Sequence, residues 1–136
     1  MSKGFLWFVL LVVVGLIAYW AYYPSATSAV TVMLSSQNNS GETGRVSVSD
    51  NAYGKAHVVV NLIGEPAGAS QPMHFHAGSC SAIGAVKYTL TSAVNGKSDT
   101  TLAISTADLM KQLPMAVNVH KSAAEMGIYV ACGDVR

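Results

Sequence analysis

The chain has 136 residues, a formal net charge of +1 and a charged fraction of only 11%, against 51% hydrophobic residues. Its eight basic and seven acidic residues nearly cancel and form no basic stripe, so the composition excludes a nucleic-acid-binding protein. Without its apolar N-terminus the chain has the length of one compact domain.

An apolar run over residues 4–23 carries no charge and follows Lys3. A run of about 20 apolar residues is long enough for a helix that spans a bilayer. Lys3 favours a cytoplasmic N-terminus, and the aromatic residues at the far end of the run suit the opposite headgroup region. We therefore expect a single-pass signal anchor over residues 1–23, in contact with lipid, and a domain on the periplasmic or extracellular side. The alternative is a signal peptide that is cleaved within Ala26–Ala29.

A short polar connector over residues 24–28 leads into a domain, residues 29–136, whose patterns are typical of β-strands throughout. The strand after residue 55 contains three consecutive valines, which predicts burial on both faces. Asn95–Gly96 is the strongest hairpin-turn signal, and residues 105–113 predict a short helical turn capped by Ser105 or Thr106. Besides a strand through His74 and His76, we predict strands over residues 29–34, 44–49, 55–63, 84–92, 100–104, 115–120 and 128–131.

This succession of seven or eight short strands, separated by turns, predicts the fold class. No predicted helix within residues 29–136 has the length of a domain-forming helix. Short strands at regular spacing are typical of β-sandwiches and small barrels. We therefore expect an all-β sandwich or small barrel behind one transmembrane helix.

Two histidines one residue apart, His74 and His76, are the most informative pair in the sequence. Side chains alternate along a strand, so both imidazoles project from one face while Phe75 points into the core. A third histidine, His120, ends another predicted strand. Imidazole suits copper and zinc, so three histidines from two strands predict a metal site. The fourth histidine, His57, is expected to be a surface residue.

Two cysteines, Cys80 and Cys132, follow the two histidine sites. In an exported domain such a pair predicts a disulfide, because the compartment oxidises thiols. The alternative is that two thiolates join the histidines as metal ligands. No closely spaced Cys-x-x-Cys pair supports that alternative.

Four motifs in order resemble the copper/zinc superoxide dismutase family: His74-Phe75-His76, then Cys80, then Val119-His120-Lys121, then Ala131-Cys132-Gly133-Asp134-Val135. The resemblance covers residues 43–135. It implies a Greek-key β-sandwich with an immunoglobulin-like topology. It also implies that His74, His76 and His120 are copper ligands and that Cys80 and Cys132 form a disulfide.

The chain also departs from this family. The family has a further histidine that bridges copper to zinc, whereas no histidine lies between His76 and His120 here. The zinc subsite is therefore expected to be absent. The family also has a superoxide-guiding arginine shortly before the second cysteine, and residues 127–131 contain none. Three neutral histidines still suit copper, Cu(I) in particular.

These features are compatible with three functions. No catalytic residue is predicted. The first is a membrane-anchored extracytoplasmic copper-binding domain that holds or delivers copper with weak or no dismutase activity. The second is a structural or accessory subunit whose helix packs within a larger membrane protein complex, with a vestigial metal site. The third is an active copper-only superoxide dismutase.

Overall fold

The computed structural model describes residues 1–22 and 29–136, so the predicted connector over residues 24–28 lies outside the described residues. A long N-terminal helix, α1 (Lys3–Tyr22), precedes the strands, and a short helix, α2 (Thr106–Met110), lies between the sixth strand and the seventh. The strands are β1 (Val30–Ser36), β2 (Thr43–Asp50), β3 (Ala56–Ile63), β4 (Ser70–Ser79), β5 (Ala82–Val94), β6 (Lys97–Thr101), β7 (Met115–His120) and β8 (Tyr129–Val135).

Helix α1 is apolar around its whole circumference and has 20 residues, which corresponds to a length of about 30 Å. Its mean hydropathy is 2.3, and none of its side chains is buried against the rest of the chain. It is therefore long and apolar enough to cross a membrane. The expected helix is confirmed, whereas its orientation and the side on which the following domain lies remain predictions.

The strands form one antiparallel sheet that closes into a barrel, in the order β1-β2-β3-β6-β5-β4-β7-β8. Closure occurs where Ser35 of β1 lies opposite Cys132 of β8 and Ser36 lies opposite Ala131. The predicted all-β class is thus confirmed. The expected sandwich takes the form of a closed barrel because the last strand returns beside the first.

The barrel encloses one hydrophobic core, and β3 shows how the strands contribute to it. Every second side chain of β3 is buried, and the residues between them are partly or fully exposed. The prediction that β3 is buried on both faces is therefore wrong. The sheet wraps around a single core, so its outer face at β3 has no second layer to cover it. The buried β3 residues are Ala56, Val58, Val60 and Leu62.

The predicted turn at Asn95–Gly96 is confirmed, since both residues have positive φ angles, 50° and 71°. Strand β5 extends beyond its predicted bounds at both ends. Strand β6 begins at Lys97, directly after the turn, and ends at Thr101, so it overlaps the strand predicted over residues 100–104 only at its end. The pairing of Val94 with Lys97 across the turn sets this register. Helix α2 begins as predicted after Ser105, whose hydroxyl accepts the Asp108 backbone N–H.

Candidate metal centre

Strand β4 places His74 and His76 on the outer face of the barrel. Met73 and Phe75 are fully buried in the core. Because side chains alternate along a strand, His74 and His76 project to the opposite face. Their ring centroids lie 5.5 Å apart. The predicted orientation of the His-x-His pair is therefore confirmed.

Strand β7 brings His120 to the same face. It lies antiparallel beside β4, with Met73 opposite Val119 and His74 opposite Asn118. Cross-strand partners share a face, so Asn118 and His120 project on the same side as His74. One ligand nitrogen from each of the three histidines lies within 4.8 Å of the others. These three residues are thus close enough to bind one metal ion.

Backbone carbonyls fix two of the three imidazoles. Nδ1 of His76 lies 2.9 Å from the Gly84 carbonyl, and Nδ1 of His120 lies against the Met126 carbonyl. Because a carbonyl oxygen only accepts, each Nδ1 must carry the proton and donate it. Both rings therefore carry their lone pair on Nε2. Such outer hydrogen bonds orient metal-binding histidines in proteins.

The third imidazole, that of His74, contacts the ring of His120 directly. Nδ1 of His74 lies 2.9 Å from Nε2 of His120, and the ring centroids are 4.9 Å apart. Since the proton of His120 is on Nδ1, the His74 ring is the donor in this hydrogen bond. The available ligand set is then Nδ1 of His74 with Nε2 of His76 and of His120.

The surroundings of His74 and His120 favour their neutral imidazoles. Burial lowers the pKa of His74, and the neighbouring His120 and His76 lower it further. Burial also lowers the pKa of His120, an effect that the Met126 carbonyl partly opposes and His76 reinforces. Neutral imidazoles are the form that binds metals.

One buried nitrogen in the cluster lacks a partner that a metal ion would supply. Nε2 of His76 is buried and has no hydrogen-bond partner, and its residue is only 5% exposed. A buried nitrogen with a free lone pair is costly unless something binds it. A metal ion held by the three histidines would satisfy it, and the all-imidazole donor set fits copper or zinc.

The β4–β5 hairpin covers one side of the site, and a disulfide holds it there. Cys80 at the hairpin tip is bonded to Cys132 of β8, so the predicted disulfide is confirmed and the cysteines are not free thiolate ligands. The Cys80 backbone N–H donates to Oδ1 of Asp134 at 2.7 Å. The same hairpin supplies the Gly84 carbonyl that orients His76.

The fourth histidine, His57, is not part of the cluster. It lies on β3, where its Nε2 is 2.8 Å from Oδ1 of Asp99 on β6. Within residues 1–22 and 29–136, the three-histidine group is the one set of three or more His, Cys, Asp or Glu side chains placed closely enough to hold a metal ion.

Three groups that contribute to the site were not predicted from the sequence. Two are the backbone carbonyls of Gly84 and Met126, for which no residue type gives a signal. The third is Tyr129, whose ring packs edge-on against His120 with centroids 5.1 Å apart. Its register opposite His120 across β7 and β8 produces this contact, and only the strand pairing reveals it.

Comparisons of the chain with protein-family models, with curated proteins and with solved structures found no match. The function is therefore argued from the geometry of the described residues.

Proposed function

We propose that this chain is a membrane-anchored copper-binding domain on the extracytoplasmic side, which holds or delivers copper and has weak or no dismutase activity. The observation that carries the proposal is the cluster of His74, His76 and His120, with one nitrogen of each within 4.8 Å of the others. Their outer hydrogen bonds to backbone carbonyls leave Nε2 of His76 and of His120 ready to bind.

Copper is the metal favoured by the donor set and the setting. Neutral imidazoles without an acidic ligand suit Cu(I) and Cu(II), and the resemblance to the copper/zinc superoxide dismutase family, whose zinc ligands the chain lacks, favours copper over zinc in an oxidising compartment. The Cys80–Cys132 disulfide supports such a compartment, and α1 supports an anchor.

The strand order supports the resemblance to the copper/zinc superoxide dismutase family. We interpret the order β1-β2-β3-β6-β5-β4-β7-β8 as a Greek-key arrangement, because β3 and β4 are separated by β5 and β6. In this arrangement the His-x-His strand and the His120 strand are neighbours, as the resemblance implies. The family assignment is part of the proposal.

The absence of a bridging histidine argues against efficient dismutation. No histidine occurs between His76 and His120, and residues 127–131 contain no arginine to attract an anion. When bound, copper would supply a redox-active ion. The residues of this chain would hold and orient it, but they offer no evident proton relay or anion guide.

The experiment is copper analysis of the full-length chain purified in detergent, together with the triple variant His74→Ala, His76→Ala, His120→Ala. We expect one tightly bound copper ion per wild-type chain and none in the triple variant. His57→Ala is the matched control, because His57 pairs with Asp99 outside the cluster and should leave copper binding unchanged.

Three other results would redirect the assignment. Copper stoichiometry that persists in the triple variant would refute the site. A stoichiometric complex with other membrane proteins that contains no metal would favour the structural subunit instead. Superoxide decay that the loaded protein accelerates well beyond an equal concentration of free copper would favour a true dismutase.

A further inference from the structure

Asn118 lies on the same sheet face as the three histidines. It is directly opposite His74 on β4 and directly opposite Cys132 on β8. Directly opposed residues have Cβ atoms about 5 Å apart. His120 is two residues further along the same strand and on the same face, at about 7 Å. Ala116, the neighbour of Asn118 on this face, lies opposite His76. Asn118 is therefore a near neighbour of His74 and His120, and His76 is diagonally across from it.

The Asn118 carboxamide is fully buried and has no partner. The residue is 0% exposed, and neither Oδ1 nor Nδ2 makes a hydrogen bond. A buried amide without partners destabilises the fold, and such a group in a native protein calls for an explanation.

The orphaned atoms of the described residues are not scattered at random. Nε2 of His76 and both carboxamide atoms of Asn118 lie on one face of β4 and β7. The others are Oε1 of Gln71, beside its partner Glu42, and Oγ1 of Thr106 on α2. A bound metal accounts for His76. The same ion, surrounded by the three rings, is the nearest explanation for Asn118.

We propose that Oδ1 of Asn118 is a fourth ligand of the metal centre and that this oxygen makes the site favour Cu(II) over Cu(I). The inference rests on the proposed copper-binding function and deepens it. Three imidazoles alone satisfy Cu(I), which accepts low coordination, whereas Cu(II) prefers tetragonal sites of nitrogen and oxygen ligands. One carbonyl oxygen added to three ring nitrogens gives such a set.

The main competing explanation is that Asn118 is a buried polar residue with no role in binding. The two explanations differ in what an apolar residue of similar size would do. If Asn118 is only structural, Asn118→Leu removes an unsatisfied amide and leaves copper affinity unchanged. If Asn118 is a ligand, the same change weakens the site for Cu(II) while the metal-free protein stays folded.

The test measures Cu(II) and Cu(I) affinities of the full-length chain in detergent by competition with chelators, for wild type and Asn118→Leu. We expect a roughly tenfold or greater loss of Cu(II) affinity in the variant and a smaller change for Cu(I). The Cu(II) electron paramagnetic resonance spectrum should also change. Equal Cu(II) affinity with an unchanged spectrum would overturn the inference.

Two further variants keep the test decisive. Asn118→Asp retains an oxygen at the same position, so it should bind Cu(II) at least as tightly as wild type, and a loss as large as that of Asn118→Leu would refute the ligand role. Thr106→Val removes another orphaned buried oxygen, on α2, and should leave both affinities unchanged. Wild-type protein that binds no copper refutes the proposed function itself, whereas wild type and Asn118→Leu that bind alike refute only the role of Asn118.

Discussion

Nδ1 of His74 donates a hydrogen bond to Nε2 of His120 across 2.9 Å, so two of the nitrogens that would bind a metal are bonded to each other. The direction follows from the Met126 carbonyl, which takes the other proton of the His120 ring. A metal must replace this hydrogen bond. His74 then has to carry its proton on Nε2 instead of Nδ1, while His120 keeps its tautomer.

This tautomer change predicts that copper binding releases almost no protons above pH 7. The rings of His74 and His120, whose pKa burial holds below the ordinary histidine value, are neutral there, and moving a proton from Nδ1 to Nε2 of His74 leaves the number of bound protons unchanged. Calorimetric titration in buffers of different ionisation enthalpy measures the number released. Release of a full proton per copper ion would show that some other group deprotonates on binding. Release should increase as the pH falls towards the ordinary histidine pKa of about 6.5.

The stability of the metal-free protein should decrease in acid because of His74 and His120. Both have a pKa below the ordinary value in the folded state, mainly through burial. Between the folded and unfolded pKa values the unfolded chain binds more protons, so the free energy of unfolding rises with pH in that window. The destabilisation is complete below the folded pKa values and absent well above about pH 6.5.

Thermal unfolding of the metal-free chain at a series of pH values checks this. The wild-type melting temperature should fall from neutral to acid pH more steeply than that of His74→Ala or His120→Ala. Parallel curves for all three proteins would contradict the assignment.

Gly84→Ala should weaken metal binding through His76. A Cβ at Gly84 would lie 2.8 Å from the Ala77 carbonyl, so the hairpin backbone would have to shift. That shift moves the Gly84 carbonyl, which accepts the Nδ1 proton of His76. Loss of such an outer hydrogen bond typically reduces metal affinity 10- to 100-fold. Chelator competition measures the effect, and Gly127→Ala is the control because nothing lies within 4 Å of its added Cβ. Equal affinities for the two variants would argue against the role of the carbonyl.

Removal of the disulfide should destabilise the domain strongly. The two cysteines are 52 residues apart, and closing a loop of that length contributes on the order of 4 kcal/mol in the chain-entropy account. The double variant Cys80→Ala, Cys132→Ala should therefore unfold at much lower denaturant concentration. In excess reductant, the unfolding midpoint of the wild type should approach that of the double variant. A midpoint that does not change would mean that the hairpin is held by other contacts, such as the hydrogen bond from Cys80 to Asp134.

Local sequence patterns predicted much of the fold, because they report on short-range physics. The apolar run before residue 23 predicted α1, and alternation about Phe75 placed His74 and His76 on one face. Residue type alone indicated Ser105 or Thr106 as the helix cap, of which the structure has Ser105, and Asn95–Gly96 as a turn. Each of these features depends on residues a few positions apart.

Features that depend on strand pairing could not be predicted in this way. Asn118 is an ordinary polar residue in the sequence, and only its register opposite His74 and Cys132 brings it to the site. Similarly, Glu42 precedes β2 and carries no local signal, yet it is 3% exposed and accepts a hydrogen bond from Gln71 on β4. Asp134 lies in β8, and its Oδ1 accepts a hydrogen bond from the distant Cys80 backbone N–H.

The barrel is not paired equally all the way round. Within the described residues, the ladder pairing of β5 with β6 is limited to Val94 and Lys97, and that of β1 with β8 to the pairs of Ser35 and Ser36. By contrast, β4 is paired with β5 from Ser70 to Ser79 and with β7 from Met73 to Ala77. Local opening therefore begins at the two thin seams. The histidines lie on β4 and β7, where amide hydrogens should exchange most slowly. A bound ion would therefore be retained while other parts of the barrel open locally.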